Sequence, residues 1–149
     1  MVGIIVTGHG SFSSGLASAI GMVAGDQPEF ETVPFDEAAA ASYAQELHGA
    51  IKDMAARTGQ VAVFVDLLGG TPFNQAMLVT QEIPGVRVIT GTNLPMLLEC
   101  LFVRNANGAM TVDEVTELAL EVGPAGIVSK AVDVDHSARA ADDFDGEGL

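Results

Sequence analysis

The chain has 149 residues, of which 48% are hydrophobic. This composition supports one core of ordinary size, whereas two separate cores would be marginal. The formal net charge of −14 repels nucleic-acid phosphates and anionic lipids, which excludes both as main partners and favours a basic protein partner. No apolar run approaches the roughly 20 uncharged residues that span a bilayer, and no basic segment precedes the apolar stretch at the amino terminus. We therefore predict a single cytoplasmic domain without a signal peptide.

Apolar runs alternate with helical patterns along most of the chain. Residues 2–6 form a run in which four of five residues are β-branched, which is typical of a strand buried on both faces. Further strands are predicted over residues 31–35, 61–65, 86–90 and, at an edge, 127–134. Helices are predicted over residues 12–23, from Asp36 through Met54, from Thr71 onward, and over residues 95–103 and 112–122.

Capping residues mark where several of these helices begin. Asp36 is predicted to cap the long second helix. Thr71 is predicted to cap the third, with Pro72 at its first helical position. Thr111 and Glu114 have capping-box spacing before the last helix. Strands separated by helices of this length imply right-handed crossovers, so we predict a doubly wound α/β fold, with a mostly parallel four-stranded sheet and helices on both faces.

Two predicted strands end in polar, glycine-bracketed turns: TGHGS follows the first strand and DLLGGTPFN the third. In doubly wound sheets, ligands bind beyond the carboxyl ends of the strands, where the strand order reverses. If the order is 2-1-3-4, these two turns face each other at that point. Asn93, Pro95 and Met96 follow the fourth strand and are predicted at the rim of the same site, although Pro95 more simply starts a helix.

His9 carries the strongest chemical signal in these turns. Gly8 and Gly10 flank it and let the backbone turn sharply, which leaves the imidazole exposed at a helix amino terminus. Helix amides stabilise an anion there, and a histidine can carry a phosphoryl group covalently. We therefore predict a phosphohistidine site, with Gly10 and Ser11 as phosphate-binding residues. The alternative interpretation is a loop histidine that only caps the helix.

Asp66, which ends the facing strand, is predicted to orient His9. A phosphate-accepting histidine must be neutral with one known nitrogen free, and a carboxylate that accepts the other N–H fixes that tautomer. Gly70 and Thr71 are further phosphate-binding candidates, Thr71 through its hydroxyl or its amide. In the alternative interpretation Asp66 is a simple turn residue, and Gly69 and Gly70 serve only the conformation of the loop.

The other reactive residue types point to structural roles. His48 lies in a helical pattern and His136 in the acidic end of the chain, so both are interpreted as incidental. The single cysteine, Cys100, lies in the apolar run LLECLFV and is interpreted as a core residue in a reducing compartment. No Cys or His cluster has metal-ligand spacing, and neither a P-loop nor a dinucleotide fingerprint is present. No metal or cofactor is therefore predicted.

Three stretches occur in an order known from one protein family: IIVTGHGSFSSGL at the start, VFVDLLGGTPFN in the middle and ITGTNLPMLLE after the fourth strand. With them the chain, over about residues 1–130, resembles the IIA component (EIIA) of the mannose/fructose/sorbose family of the bacterial phosphoenolpyruvate-dependent sugar phosphotransferase system. The resemblance implies that His9 accepts a phosphoryl group from phosphohistidine on the carrier HPr. It further implies that His9 passes this group to a IIB domain, with membrane components IIC and IID involved only indirectly.

The resemblance also implies roles for other residues and for assembly. Asp66 falls on the family's histidine-orienting aspartate, and Thr71 on the hydroxyl residue after its glycine pair. Family members are homodimers whose subunits exchange an edge strand, which suits residues 127–134. This segment, IVSKAVDV, does not alternate strictly, so an isolated edge strand here would be weakly held. Exchange would also pair the open edge of the sheet, with GPAG at residues 123–126 as the predicted hinge.

The chain departs from the family pattern at two places. Gly8 precedes His9 where some relatives carry threonine, which affects a local contact. No IIB domain follows the predicted EIIA domain of residues 1–135, so the resemblance implies that IIB is a separate chain or has been removed. Residues 136–149 are acidic and rich in small residues, and they are predicted to be a flexible tail or truncated linker. The sequence does not reveal which sugar is transported, because IIA never contacts the sugar.

Three other functions fit parts of the pattern. The related phosphotransferase subunit that serves dihydroxyacetone kinase shares the fold and the early histidine, but it usually has serine near that histidine where this chain has glycine. A phosphohistidine phosphatase or mutase needs an arginine beside its histidine, together with further phosphate-binding arginines and a second histidine. None of this chain's arginines lies beside His9; they are Arg57, Arg87, Arg104 and Arg139. A non-catalytic binding module on a flavodoxin-like sheet also fits the fold.

Overall fold

The computed structural model describes residues 1–133, so the predictions for His136 and for the acidic tail lie outside the described residues. The strands are β1 (Gly3–His9), β2 (Phe30–Phe35), β3 (Val61–Val65) and β4 (Val86–Ile89). The helices are α1 (Phe12–Ala24), α2 (Ala40–Thr58), α3 (Gly70–Glu82), α4 (Leu94–Ala106) and α5 (Val112–Ala125). None of these helices is long and apolar enough to cross a membrane.

The four strands form one parallel sheet in the order β2-β1-β3-β4. The predicted α/β class and strand order are therefore confirmed. Thr7 of β1 lies beside Val33 of β2 on one side and beside Val65 of β3 on the other. Because parallel strands end at the same edge, the residues at the ends of β1, β2 and β3 are neighbours at the carboxyl edge of the sheet.

Two apolar layers cover the two faces of the sheet. Ile4 and Val6 pack with residues of α1, α4 and α5, whereas Ile5 and Val63 pack with residues of α2 and α3. Cover on both faces explains why β1 and β3 are continuous apolar runs. Cys100 is buried in the first layer, as predicted, and this burial raises the pKa of its thiol to about 12.

Strand β1 extends further than predicted, through Thr7 and Gly8 to His9. The predicted turn therefore begins only at Gly10, which has a φ of +55°. The extension follows from pairing with β2, whose register continues to His9 beside Phe35. Apolar content along one strand does not reveal this pairing, which is why the sequence prediction stopped too early.

The predicted cap of α5 is confirmed, whereas Asp36 caps a 3₁₀ turn before α2 and not α2 itself. A side-chain oxygen of Asp36 accepts a hydrogen bond from the Ala38 amide at 3.0 Å, at the start of a 3₁₀ turn (Glu37–Ala39) that leads into α2. The hydroxyl of Thr111 accepts one from the Glu114 amide at 3.2 Å, at the start of α5.

The prediction that Thr71 caps α3 is wrong. Helix α3 begins at Gly70, with Gly69 at the cap position and Thr71 inside the first turn. Gly69 and Gly70 have φ values of +86° and +81°, in the left-handed region that glycine adopts without steric cost. The glycine pair therefore lets the helix begin earlier than the Thr-Pro pattern indicates.

The edge strand predicted over residues 127–134 is not formed within the described part of the chain. Residues 127–133 form no strand in the single chain, and Ile127, Val128 and Val132 are exposed. Helix α5 continues through Pro124 to Ala125, so residues 123–125 of the predicted hinge are helical and that part of the prediction is wrong. Within residues 1–133, β4 is an outer strand of the sheet with no further strand beside it.

Candidate active site

His9 and Asp66 meet at the carboxyl edge of the sheet, at the ends of the adjacent strands β1 and β3. Oδ2 of Asp66 accepts two hydrogen bonds from the same residue, one from the backbone N–H of His9 and one from its ring Nδ1, each at 2.9 Å. Oδ1 of Asp66 accepts a third from the Leu67 amide, also at 2.9 Å. The structure thus brings together the two residues that the sequence analysis paired.

These contacts keep Asp66 ionised and select one tautomer of His9. Partial burial by itself would raise the pKa of Asp66, but the hydrogen bonds from the His9 amide and ring, the charge of a protonated His9 and the Leu67 amide outweigh it and lower that pKa. An ionised carboxylate only accepts hydrogen bonds, so Nδ1 carries the proton. In the neutral ring Nε2 then has the unshared lone pair. The His9 side chain is 46% exposed.

Phe35, the last residue of β2, packs its ring against His9 from the other neighbouring strand. The two ring centroids are 5.7 Å apart and the planes form an angle of 78°, an edge-to-face arrangement. Phe35 also contacts the ring of Tyr43 in α2, at 4.7 Å between centroids. The sequence analysis did not single out Phe35. The strand order 2-1-3-4 was the signal, because it places the ends of β1 and β2 side by side.

A hydrogen-bonded pair lies beneath this ring contact. The Thr7 hydroxyl donates to the Val33 carbonyl at 2.5 Å, so the Tyr43 hydroxyl is the donor in its own 2.5 Å contact with Thr7. All of these groups are buried. Through these two hydrogen bonds, Thr7 ties the end of β1 to β2 and to α2.

The amino terminus of α3 lies beside Nε2 of His9. A β-carbon added to Gly70 would be 3.3 Å from Cε1 and 3.5 Å from Nε2, so the Gly70 backbone passes close to the ring nitrogen that carries no proton. The first amides of a helix lack acceptors within the helix and create a positive potential. An anion bonded to Nε2 would therefore meet the first turn of α3, where Thr71 is exposed.

Gly10 and Ser11 follow His9 directly, before α1. The Gly10 amide donates to the Phe35 carbonyl at 2.8 Å, so Gly10 supplies the turn and its amide is already engaged. Ser11 is at the cap position of α1, but its side chain makes no capping hydrogen bond. An open cleft beside the imidazole is lined by His9, Gly10, Phe35, Asp36 and Glu37.

The residues after β4 make structural contacts. The Asn93 side chain accepts from the Met96 amide at 3.0 Å and donates to the Gly123 carbonyl at 2.9 Å, so it caps α4 and ties it to α5. Met96 is buried in the core, and Pro95 lies in the first turn of α4. The simpler interpretation of Pro95, as a helix start, is confirmed.

Thr92, which the sequence analysis did not select, supports the site from this loop. Its hydroxyl donates to the Val65 carbonyl at 2.8 Å and its amide to the same oxygen at 3.3 Å. These bonds fix the end of β3, from which Asp66 projects. His48 has a structural contact, since its Nε2 lies 3.1 Å from the Gln75 carbonyl and links α2 to α3.

The basic side chains with described contacts are engaged away from His9. Three of them form ion pairs: Arg57 with Glu29 and Glu31, Arg87 with Asp113, and Lys52 with Glu82. Arg104 is fully buried and donates to the carbonyls of Val2, Pro28 and Glu29. A phosphatase or mutase would require arginine at the histidine, and none of these three arginines is placed to provide it.

A family model described as "PTS system fructose IIA component" matches residues 3–119. Over 105 residues the chain is 36% identical to the PTS system fructose-specific EIIA component of Bacillus subtilis, which covers 70% of this chain and 71% of that protein. Over 140 residues it is 31% identical to the PTS system mannose-specific EIIAB component of Escherichia coli K12, which covers 93% of this chain. This chain spans only 43% of that longer protein.

The fold comparison agrees with these matches. The crystal structure of the phosphotransferase system component EIIA from Streptococcus agalactiae superposes with a TM-score of 0.76 and 28% sequence identity. The superposition covers 87% of this chain and 97% of that one.

Proposed function

Because the chain belongs to the EIIA family of the mannose, fructose and sorbose phosphotransferase systems, we propose that His9 is the residue that carries the phosphoryl group. EIIA proteins are phosphoryl-carrier components of sugar uptake, with HPr as the donor and IIB as the acceptor, and this chain is one of them. The observation that carries the assignment to His9 is the double hydrogen bond from its amide and Nδ1 to Asp66. It leaves Nε2 as the nucleophile.

The transfer step follows from this tautomer. The Nε2 lone pair attacks the phosphorus of phosphohistidine on HPr, and the new N–P bond forms as the old one breaks. The electron pair of the broken bond stays on the leaving imidazole of HPr. The ring of His9 gains positive charge in this step, and the Asp66 carboxylate, already bonded to Nδ1–H, stabilises that charge. Delivery to IIB is the same exchange with His9 as the leaving group.

The phosphoryl group on Nε2 is held by the first turn of α3 in this proposal. The closeness of Gly70 to Nε2 supports the assignment, and the amide and hydroxyl of Thr71 are the further donors. Ser11, at the start of α1, is a second candidate donor. Gly10 contributes the backbone turn, because its amide is bonded to Phe35.

The charge distribution supports a basic partner surface. The cleft beside His9 has Asp36 and Glu37 in its lining, and the cations with described contacts are engaged elsewhere. With a net charge of −14, the protein attracts basic surfaces and speeds their encounter at low ionic strength. We infer a cytoplasmic location, where a phosphoryl carrier meets these partners.

A homodimer with exchanged end segments is the second part of the proposal. It is supported by the outer position of β4 in the sheet and by the exposure of Ile127, Val128 and Val132. An unpaired strand edge and an exposed apolar segment on the same chain both gain from pairing with a second copy.

The assignment of His9 is tested by phosphorylation. We expect phosphoenolpyruvate with enzyme I and HPr to label the protein once, in an acid-labile and base-stable form, and His9→Ala to abolish the label. His48→Ala is the matched control, because His48 links two helices and is expected to leave labelling intact. Label that survives in His9→Ala contradicts the assignment.

A further inference from the structure

The imidazole of His9 has partners on both sides of β1. The Asp66 carboxylate binds Nδ1 from the end of β3, at 2.9 Å. The ring of Phe35 contacts the imidazole from the end of β2, with 5.7 Å between the ring centroids and an angle of 78° between the planes. The imidazole therefore lies between a hydrogen-bond acceptor and an aromatic ring.

The backbone fixes the position of Phe35 relative to His9. The two residues pair with each other in the parallel register of β1 and β2, and side chains at the same level of adjacent strands point to the same face of a sheet. The Gly10 amide donates to the Phe35 carbonyl at 2.8 Å, which ties Phe35 to the turn that follows His9. The ring contact therefore follows from the sheet itself.

The ring of Phe35 is held more firmly than the imidazole that it contacts. Phe35 is only 8% exposed and belongs to the apolar layer under α2 and α3, whereas the His9 side chain is 46% exposed. The Tyr43 ring packs against Phe35 at 4.7 Å between centroids, and the Tyr43 hydroxyl is bonded to Thr7. Close packing of this kind keeps a side chain in one rotamer, so Phe35 restricts the imidazole.

The hydrogen bond to Asp66 by itself leaves the imidazole some freedom. The χ2 torsion of histidine is broad, so the ring plane can tilt and weaken the bond from Nδ1. An open cleft lies beside the ring, and Phe35 belongs to its lining together with Gly10, Asp36 and Glu37. Loss of the Phe35 ring would enlarge this cleft on the side of β1 away from Asp66.

We propose that Phe35 is a positioning residue for phosphoryl transfer, whose ring keeps the imidazole of His9 turned towards Asp66. The kinetic part of this proposal rests on the proposed function of His9. With a smaller, non-aromatic side chain at position 35, the imidazole spends part of the time away from the carboxylate. Either ring nitrogen can then carry the proton, and molecules with the proton on Nε2 lack the nucleophilic lone pair.

Phe35→Leu tests this role on the whole protein, because leucine keeps the position apolar and lacks the ring. We expect the ¹⁵N shifts of the neutral His9 ring to move from the Nδ1–H tautomer of the parent towards a mixture of both tautomers. Transfer from phospho-HPr should slow by roughly two- to tenfold, the factor that an edge-to-face ring pair supplies. The loss should lie in kcat and leave KM unchanged, because the buried Phe35 offers little surface to a partner.

Two variants show whether the ring at this position is responsible. Phe35→Tyr keeps the aromatic ring and should retain the tautomer and the rate of the parent. Phe30→Leu makes the same substitution at the first residue of β2, at the opposite edge of the sheet from His9, and should change neither measurement. A parent-like spectrum in Phe35→Leu, or an equal change in Phe30→Leu, would overturn the proposal.

Phe35→Met takes the place of the leucine variant should that variant not fold, since methionine adapts to irregular space in a core. The same change of tautomer is expected, and a parent-like spectrum there counts equally against the proposal. In an Asp66→Asn background, Phe35→Leu should slow transfer no further, because no carboxylate remains for the imidazole to leave. An independent slowing would show that Phe35 does not act through Asp66 and would contradict the proposal.

The tautomer is measured on unphosphorylated protein. It therefore tests the role of Phe35 even if label were to survive in His9→Ala, an outcome that would refute only the proposed function of His9.

Discussion

A single oxygen of Asp66 holds both the backbone and the ring of His9, so this one carboxylate sets the position of the residue and its tautomer. The amide that replaces a carboxylate in asparagine can donate to Nδ1 and thereby hold the ring in the other tautomer. The neutral amide also cannot stabilise an imidazolium. Asp66→Asn therefore tests the effect of the carboxylate on the His9 tautomer separately from its effect on folding.

We predict that Asp66→Asn is folded but transfers the phosphoryl group more slowly by roughly two orders of magnitude or more. Single-turnover transfer from phospho-HPr measures this rate. Asp113→Asn is the control, because it makes the same chemical change at an exposed ion pair with Arg87. A rate equal to that of the parent protein would reduce Asp66 to a turn residue.

At the scale of secondary-structure elements, the end of β1 is held between β2 and α2 by the contacts of Phe35, Tyr43 and Thr7. Burial raises the pKa of Tyr43 to about 12, and the negative charge of Asp66 acts in the same direction. The folded state therefore binds the phenolic proton more tightly than the unfolded chain, where the pKa is about 10. This contribution to stability is complete below about pH 10 and is lost as the pH rises towards 12.

Tyr43 is the only tyrosine and the chain has no tryptophan, so ultraviolet absorbance of tyrosinate reports this residue alone. We predict a titration near pH 12 in the folded protein, and a free energy of unfolding that falls less steeply with alkaline pH in Tyr43→Phe than in the parent. Ionisation near pH 10 in the folded protein would show that burial does not raise the pKa of Tyr43.

The carboxyl end of helix α4 is anchored by the fully buried Arg104. Its guanidinium donates to the carbonyls of Val2, Pro28 and Glu29, which joins the start of β1 to the loop before β2. Burial lowers the pKa of Arg104, and the surrounding carbonyls compensate for the lost hydration.

We predict that Arg104→Met lowers the free energy of unfolding by about 2 kcal/mol or more, because it leaves buried carbonyl oxygens without donors. Urea denaturation measures the difference. Arg57→Met, at an exposed ion pair with Glu29 and Glu31, is the control and should have a much smaller effect. Equal effects of the two substitutions would contradict a stabilising role for the hydrogen bonds of Arg104.

At the scale of the whole molecule, the proposed dimer would pair the open edge at β4 and cover the exposed Ile127, Val128 and Val132. We predict that the protein is a homodimer at low micromolar concentration by light scattering. Truncation before Ile127 should weaken dimerisation, whereas removal of the residues after Ala138 should not.

Two outcomes would refute the strand exchange. One is a monomeric full-length protein, and the other is a truncated protein that dimerises equally well. Because α5 extends through Ala125, Gly126 is the one residue of the predicted hinge that lies outside the helix.

The sequence by itself determined the class of fold, and it predicted the strand order and the pairing of His9 with Asp66. Buried parallel strands are continuous apolar runs, and such runs can be recognised without knowing their neighbours. The turn after each strand was also visible, so His9 and Asp66 could be paired from the rule that ligands bind where the strand order reverses.

Only the tertiary structure decided the contacts that depend on register between distant segments. The extension of β1 to His9 follows from pairing with Phe35, and the packing of that ring on the imidazole follows from the same register. The closeness of Gly70 to Nε2 of His9 and of Gly8 to the Asp66 carboxylate likewise depends on the spacing between separate elements. Local pattern carries the period of a strand or helix, but the distance between two elements is set by how all the side chains between them pack.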